Sequence, residues 1–80
     1  MPDLNETEKE ILSSACEEYP HIATIGKDWS EEQGVEHGTI VDAVNNLEEE
    51  GLLKKIDEVK SPGGNELLVK LTDKGNEEFC

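Results

Sequence analysis

The sequence predicts an α+β fold of three helices and a small β-hairpin, contained in a single domain over residues 1–80. Three observations carry this. Apolar residues recur at helical spacing in Ile11-Leu12-Ala15-Cys16-Tyr19 and again in Ile40-Ala43-Val44-Leu47. Gly34-Val35 breaks the chain just before the second of these runs. Two segments with strand character, 52–59 and 66–71, flank Ser61-Pro62-Gly63-Gly64-Asn65, whose composition is that of a turn. A chain this short buries a small share of its surface, so nearly all its apolar residues must serve the core, and no second domain fits.

The first helix starts at Asn5, which caps it together with Glu8 in a variant of the capping box. Glu6, Glu8 and Glu10 suit the positive end of the helix dipole. Pro20 ends this helix, because the residue before a proline is pushed out of the helical region. His21-Ile22-Ala23-Thr24-Ile25 is apolar enough for a small strand, and Thr24 is read as the cap of a second helix running to Gln33, with Trp29 toward the core. Gly34 adopts the left-handed conformation that ends a helix while Val35 packs inward, the turn of a helix-turn-helix. The third helix buries Ile40, Ala43, Val44 and Leu47, and Gly51 after Glu48-Glu49-Glu50 marks its end. In the hairpin, Leu67, Val69 and Leu71 face the core and Lys70 faces outward. Thr72-Asp73-Lys74-Gly75 closes the strand and leaves too little chain for a long helix. The expected core is Leu12, Trp29, Ile40, Val44, Leu47, Ile56, Val69 and Leu71.

The formal charge is −13, and it is unevenly spread. Residues 1–50 hold fourteen acidic side chains against two lysines, a balance of −12, whereas residues 51–80 hold six against five, a balance of −1. Attraction for an anion therefore belongs to the C-terminal third. No stretch approaches the roughly 18 apolar residues of a membrane span. The start, Met1-Pro2-Asp3-Leu4-Asn5-Glu6, lacks a basic region followed by an apolar run. A soluble, cytoplasmic chain with no membrane partner is expected. Cys16 and Cys80 are too few for a disulfide framework. Cys16 is read as a buried structural thiol, and Cys80 as an exposed one that air oxidation would link into a dimer of no biological meaning.

Catalysis needs a nucleophile or an acid–base pair held in a pocket. Ser13, Ser14, Ser30, Ser61, the cysteines, His21 and His37 occur without a recognisable catalytic motif, so the reading is a non-enzymatic protein without cofactor. His21, His37 and Cys16 lack zinc-ligand spacing, and Glu48-Glu49-Glu50 reads as a solvated helix end, so no metal is expected. Tyr19, Trp29 and Phe79 are too scattered to stack single-stranded bases.

In order and wording the chain resembles the winged helix-turn-helix superfamily, in particular transcription regulators of the MarR and ArsR type. The resemblance rests on Glu8-Lys9-Glu10-Ile11-Leu12, on Gly34-Val35 through Asn46-Leu47-Glu48-Glu49-Glu50-Gly51-Leu52-Leu53, and on Val69-Lys70-Leu71-Thr72-Asp73-Lys74-Gly75. It implies a third helix that enters the DNA major groove and a wing that touches the backbone. By position the groove-facing residues are Glu36, His37, Gly38, Thr39, Val41, Asp42 and Asn45. This set departs from the family pattern, which commonly has Ser and Arg where this chain has Glu36, His37 and Asp42, and carboxylates repel phosphate. An exposed Val41 suits a thymine methyl or a protein surface equally. The long terminal helices through which MarR-type members dimerise are missing, which leaves the first helix or a strand edge for any homodimer.

Two functions of different kinds follow. In one the chain is a DNA-binding or transcription-associated module that meets double-stranded DNA weakly through the wing, with Lys54, Lys55, Lys60 and Lys70 as its only basic cluster. The bland alternative for these lysines is a β-edge kept soluble. In the other the third helix contacts a protein partner, or the carboxylates imitate nucleic acid. A high-salt cytoplasm also explains acidity, although such proteins favour arginine and this chain has none.

Overall fold

A computed structural model describes residues 4–62 and 64–80. Residues 1–3 of the start read above for a leader, and Gly63 of the turn, lie outside the described residues. The elements are α1 (Glu6–Glu18), β1 (Ala23–Ile25), α2 (Lys27–Gln33), α3 (His37–Glu49), β2 (Leu53–Val59), β3 (Glu66–Leu71) and α4 (Asp73–Phe79). Among the described residues the fold is α+β, with four helices and one antiparallel sheet in the order β1-β3-β2.

Local chemistry sets the helix ends. Asn5 and Glu8 form a complete capping box, in which the Glu8 N–H donates to Asn5 Oδ1 at 2.8 Å and the Asn5 N–H to Glu8 Oε1 at 2.9 Å. Gly34, with φ of 66°, ends α2 in the left-handed conformation, and Gly51 follows α3 at φ 75°. Ile11, Leu12 and Ala15 of α1 and Ile40, Ala43, Val44 and Leu47 of α3 then pack as one buried layer. The opposing layer is the inner sheet face: Ala23, Ile25, Leu53, Leu67, Val69 and Leu71, all buried. Full burial of each large aliphatic side chain is worth about 1.5–3 kcal/mol, which makes this contact between helices and sheet the main source of cohesion. No helix among the described residues is long and apolar enough to cross a membrane.

Several expectations need correction. The chain has a fourth helix. Thr72 accepts from the Gly75 N–H at 3.0 Å and donates to the Gly51 carbonyl at 2.6 Å, which starts α4 and ties it to the exit of α3. Lys74 Nζ adds a bond to the Glu50 carbonyl at 2.9 Å. Thr24 does not cap α2. It pairs with Leu68 inside the sheet, and the helix begins only after Gly26. The hairpin of β2 and β3 forms as the sequence predicts, and β1 joins it on the β3 side to make a three-stranded sheet. Ile56 is not in the core. A β-bulge between Lys55 and Asp57 breaks the alternation and leaves it 45% exposed. Trp29 packs against the core as expected but is only half-buried, and its indole N–H donates to Ser14 Oγ at 3.0 Å.

The cysteines also differ from expectation. Cys16 and Cys80 are joined to each other, with Cα atoms 6.1 Å apart, within the span that a disulfide bridges. The bond exists because α4 turns back over α1 and delivers Cys80 to its apolar flank. Neither thiol is free in this structure.

Candidate partner-binding face

The connection from α2 to α3 takes three residues, 34–36, and the Ser30 hydroxyl closes it by donating to the Val35 carbonyl. This places α3 with its apolar stripe inward and Gly38, Thr39, Asp42 and Asn45 exposed on the other side, with exposed Glu36 at its start. These four sit at helical spacing along one stripe. Val41 is not the exposed valine expected. It is half-buried and packs on the core, since its position lies one residue beyond Ile40 on the flank of the buried stripe.

His37 is half-buried because the hairpin tip leans on it. A Cβ added at Gly64, whose φ is 134°, would lie 3.3 Å from His37 Nδ1 and 3.5 Å from its Cγ. Glycine at this point permits the close approach. Next to it, the Asn65 amide donates to Glu58, whose carboxylate also stands 3.2 Å from Lys55 Nζ. These contacts, the Asn65 bond above all, hold the Glu58 carboxyl below the usual glutamate range.

The lysines do not form a single cluster. Lys54 lies directly opposite Lys70 in the β2–β3 register, on the outer face of the sheet. Together with Tyr19, Pro20, Leu71, Thr72 and Asp73 they line a shallow cavity of about 330 Å³. In it the Tyr19 hydroxyl donates to Asp73 Oδ1 at 2.8 Å, and that bond raises the tyrosine above its ordinary pKa. Lys55 is opposite Val69, whose side chain is buried, so its own side chain leaves on the helix side, where Glu58 neutralises it. Lys60 follows β2, exposed, at the approach to the turn.

Of the residues singled out by sequence, Gly38, Thr39, Asp42 and Asn45 share the exposed stripe of α3, and His37 at the start of the helix is the one that meets the hairpin tip, at Gly64. The structure puts Lys54 and Lys70 on the opposite side of the sheet. From position 54 to position 60 an extended strand covers about 20 Å, so the lysine pair also stands well away from the tip. Glu58, Asn65 and Gly64 were missed as neighbours of α3. Their signal was the turn run itself, which fixes where the hairpin folds but not which helix it touches. Among the described residues no group of three His, Cys, Asp or Glu side chains is placed to hold a metal ion.

No family model matches the chain, and no curated protein or solved structure matches it.

Proposed function

We propose that this protein is a winged helix-turn-helix module of the transcription-associated kind, in which α3 and the hairpin tip form the working face and contact with DNA is weak and hairpin-led. The observation that supports this reading is the pairing of a short left-handed turn before α3 with a hairpin tip that closes on His37 at the start of the same helix. The exposed stripe of α3 contributes Asp42 and Asn45 and no cation, so attraction for phosphate falls to the hairpin. Lys60 is the lysine nearest the tip in sequence, Lys55 is partly neutralised by Glu58, and Lys54 and Lys70 serve a different face.

A salt titration of binding to random duplex DNA tests this. Each phosphate contact contributes about 0.9 to the slope of log affinity against log salt, so the wild type should show a shallow slope. Lys60→Gln should flatten it further, and Lys54→Gln with Lys70→Gln should leave it nearly unchanged. Tight binding to a specific sequence that survives Lys60→Gln would reject hairpin-led contact.

One observation favours a protein partner instead. Glu36, Asp42 and Glu49 are all exposed on or beside α3, a carboxylate-lined face that repels nucleic acid and suits a basic protein surface, as a nucleic-acid mimic would. The same titration against a basic DNA-binding protein decides between the two, because salt then weakens that complex while DNA is not bound at all.

A further inference from the structure

β3 lies between β1 and β2, so the far side of β2 carries no strand among the described residues. Backbone groups along an antiparallel strand point alternately to its two sides, and the bulge between Lys55 and Asp57 resets that alternation. As a result the N–H groups of Lys55 and Glu58 both face the free edge. The first donates to Glu48 Oε2 at 3.2 Å and the second to Asp57 Oδ1 at 2.8 Å, and both bonds are exposed to solvent. Two edge donors held only by exposed carboxylates can exchange them for the carbonyls of another strand.

The side chains at these same two positions are opposite in charge. If a second strand of identical sequence lies antiparallel with its Glu58 opposite Lys55, its own Lys55 necessarily falls opposite Glu58. One register therefore satisfies both edge donors and forms two ion pairs, and it closes on itself by a twofold axis. We infer that a second copy of this chain docks along the free edge of β2 in this register, joining two sheets into one. The match is between the edge and itself, which a partner of other sequence would reproduce only by chance.

Apolar exposure agrees with this placement. Ile56 and Val59 are 45% and 44% exposed and are the two large apolar side chains that β2 leaves open. In the inferred register Val59 meets the aliphatic stem of Lys54 from the second copy, and Ile56 lies at the centre next to the axis. The existing bridge between Lys55 and Glu58, 3.2 Å within one chain, is a surface pair that costs little to exchange for two across the axis. Glu48 and Asp57 swing outward as the strands meet. With Cys16 and Cys80 joined to each other, the dimer is non-covalent.

Sedimentation equilibrium of the full chain tests this at about 0.15 M salt, where a Debye length of about 8 Å screens the overall charge more than directly opposed pairs. The wild type should pass from monomer to dimer with concentration. Lys55→Glu and Glu58→Lys should each weaken the dimer at least about tenfold, because each places like charges opposite one another twice. An equimolar mixture of the two variants should recover it, as should the double variant K55E/E58K, since both restore opposite charges at every pair. Circular dichroism confirms that each exposed-site variant is folded. A wild type that stays monomeric at every attainable concentration would overturn the inference, and so would single variants that dimerise like the wild type or a mixture no stronger than its components.

Discussion

The disulfide makes the sharpest quantitative prediction. Cys16 and Cys80 are 64 positions apart, so their bond closes nearly the whole chain into one loop. In the chain-entropy account, cross-linking a loop of that length removes entropy from the unfolded state worth about 4 kcal/mol at room temperature. A folded chain of this size has a total stability of about 4–12 kcal/mol at the usual 0.05–0.15 kcal/mol per residue, so the bond supplies a large fraction of it. Cys80→Ser leaves Cys16, α1 and the core untouched and removes only the link. Urea unfolding of the oxidised wild type and of Cys80→Ser should then give midpoints about 2 M apart, with the usual slope of about 1–3 kcal/mol per M. Reduction of the wild type should bring it to the variant's midpoint, which separates loss of the link from loss of the side chain. Equal midpoints for oxidised wild type and variant would refute the reasoning. Two titratable thiols in the denatured, unreduced wild type would refute the bond itself.

Two further substitutions probe the packing and the charges. Gly75 lies inside α4, where alanine ordinarily gains about 0.5–1 kcal/mol, but here its Cβ would run into the Leu52 carbonyl and lie 2.9 Å from Leu71 Cδ1. Gly75→Ala should cost about 1–3 kcal/mol and lower the melting temperature, and a raised melting temperature would show that α4 is not seated on Leu52. The Glu58 carboxyl is held below its unfolded value, so its contribution is present above the ordinary glutamate range and fades as pH falls through the folded value. Glu58→Gln should therefore flatten the loss of stability below about pH 4, whereas parallel acid limbs for wild type and variant would show that the Asn65 and Lys55 contacts do not stabilise the fold.

What could be read from the sequence is what depends on neighbours along the chain. The Asn5–Glu8 box, the αL glycine at position 34 and the apolar stripe of α3 are each decided within a few residues, and all were legible. The alternation of Leu67, Val69 and Leu71 was legible because β3 is buried on one face with a clean period of two. β2 has no such period. Lys54-Lys55-Ile56-Asp57-Glu58 contains one apolar residue among four charges, so nothing in the pattern reveals that an extra residue sits at the bulge and carries Ile56 out of the core. The Cys16–Cys80 bond and the Tyr19–Asp73 hydrogen bond join positions 64 and 54 apart. Both depend on α4 returning over α1, and α4 was hidden because its seven residues carry almost no apolar stripe.

The same distinction governs the charge. Counting along the chain places a nearly neutral C-terminal third after an acidic first fifty residues, and that count treats Lys54, Lys55, Lys60 and Lys70 as one basic feature. The pleat divides them. Neighbours on a strand leave by opposite faces, so Lys54 goes with Lys70 to the outer side and Lys55 goes with Glu58 to the helix side. What remains beside α3 is a set of carboxylates, an asparagine and a half-buried histidine, with Lys60, which makes no ion pair among the described residues, on the approach to the tip. Coulomb attraction between so small a positive charge and a phosphate backbone is weak at cellular salt. Any strong partner of that face must therefore be recognised by shape, hydrogen bonding or its own positive charge.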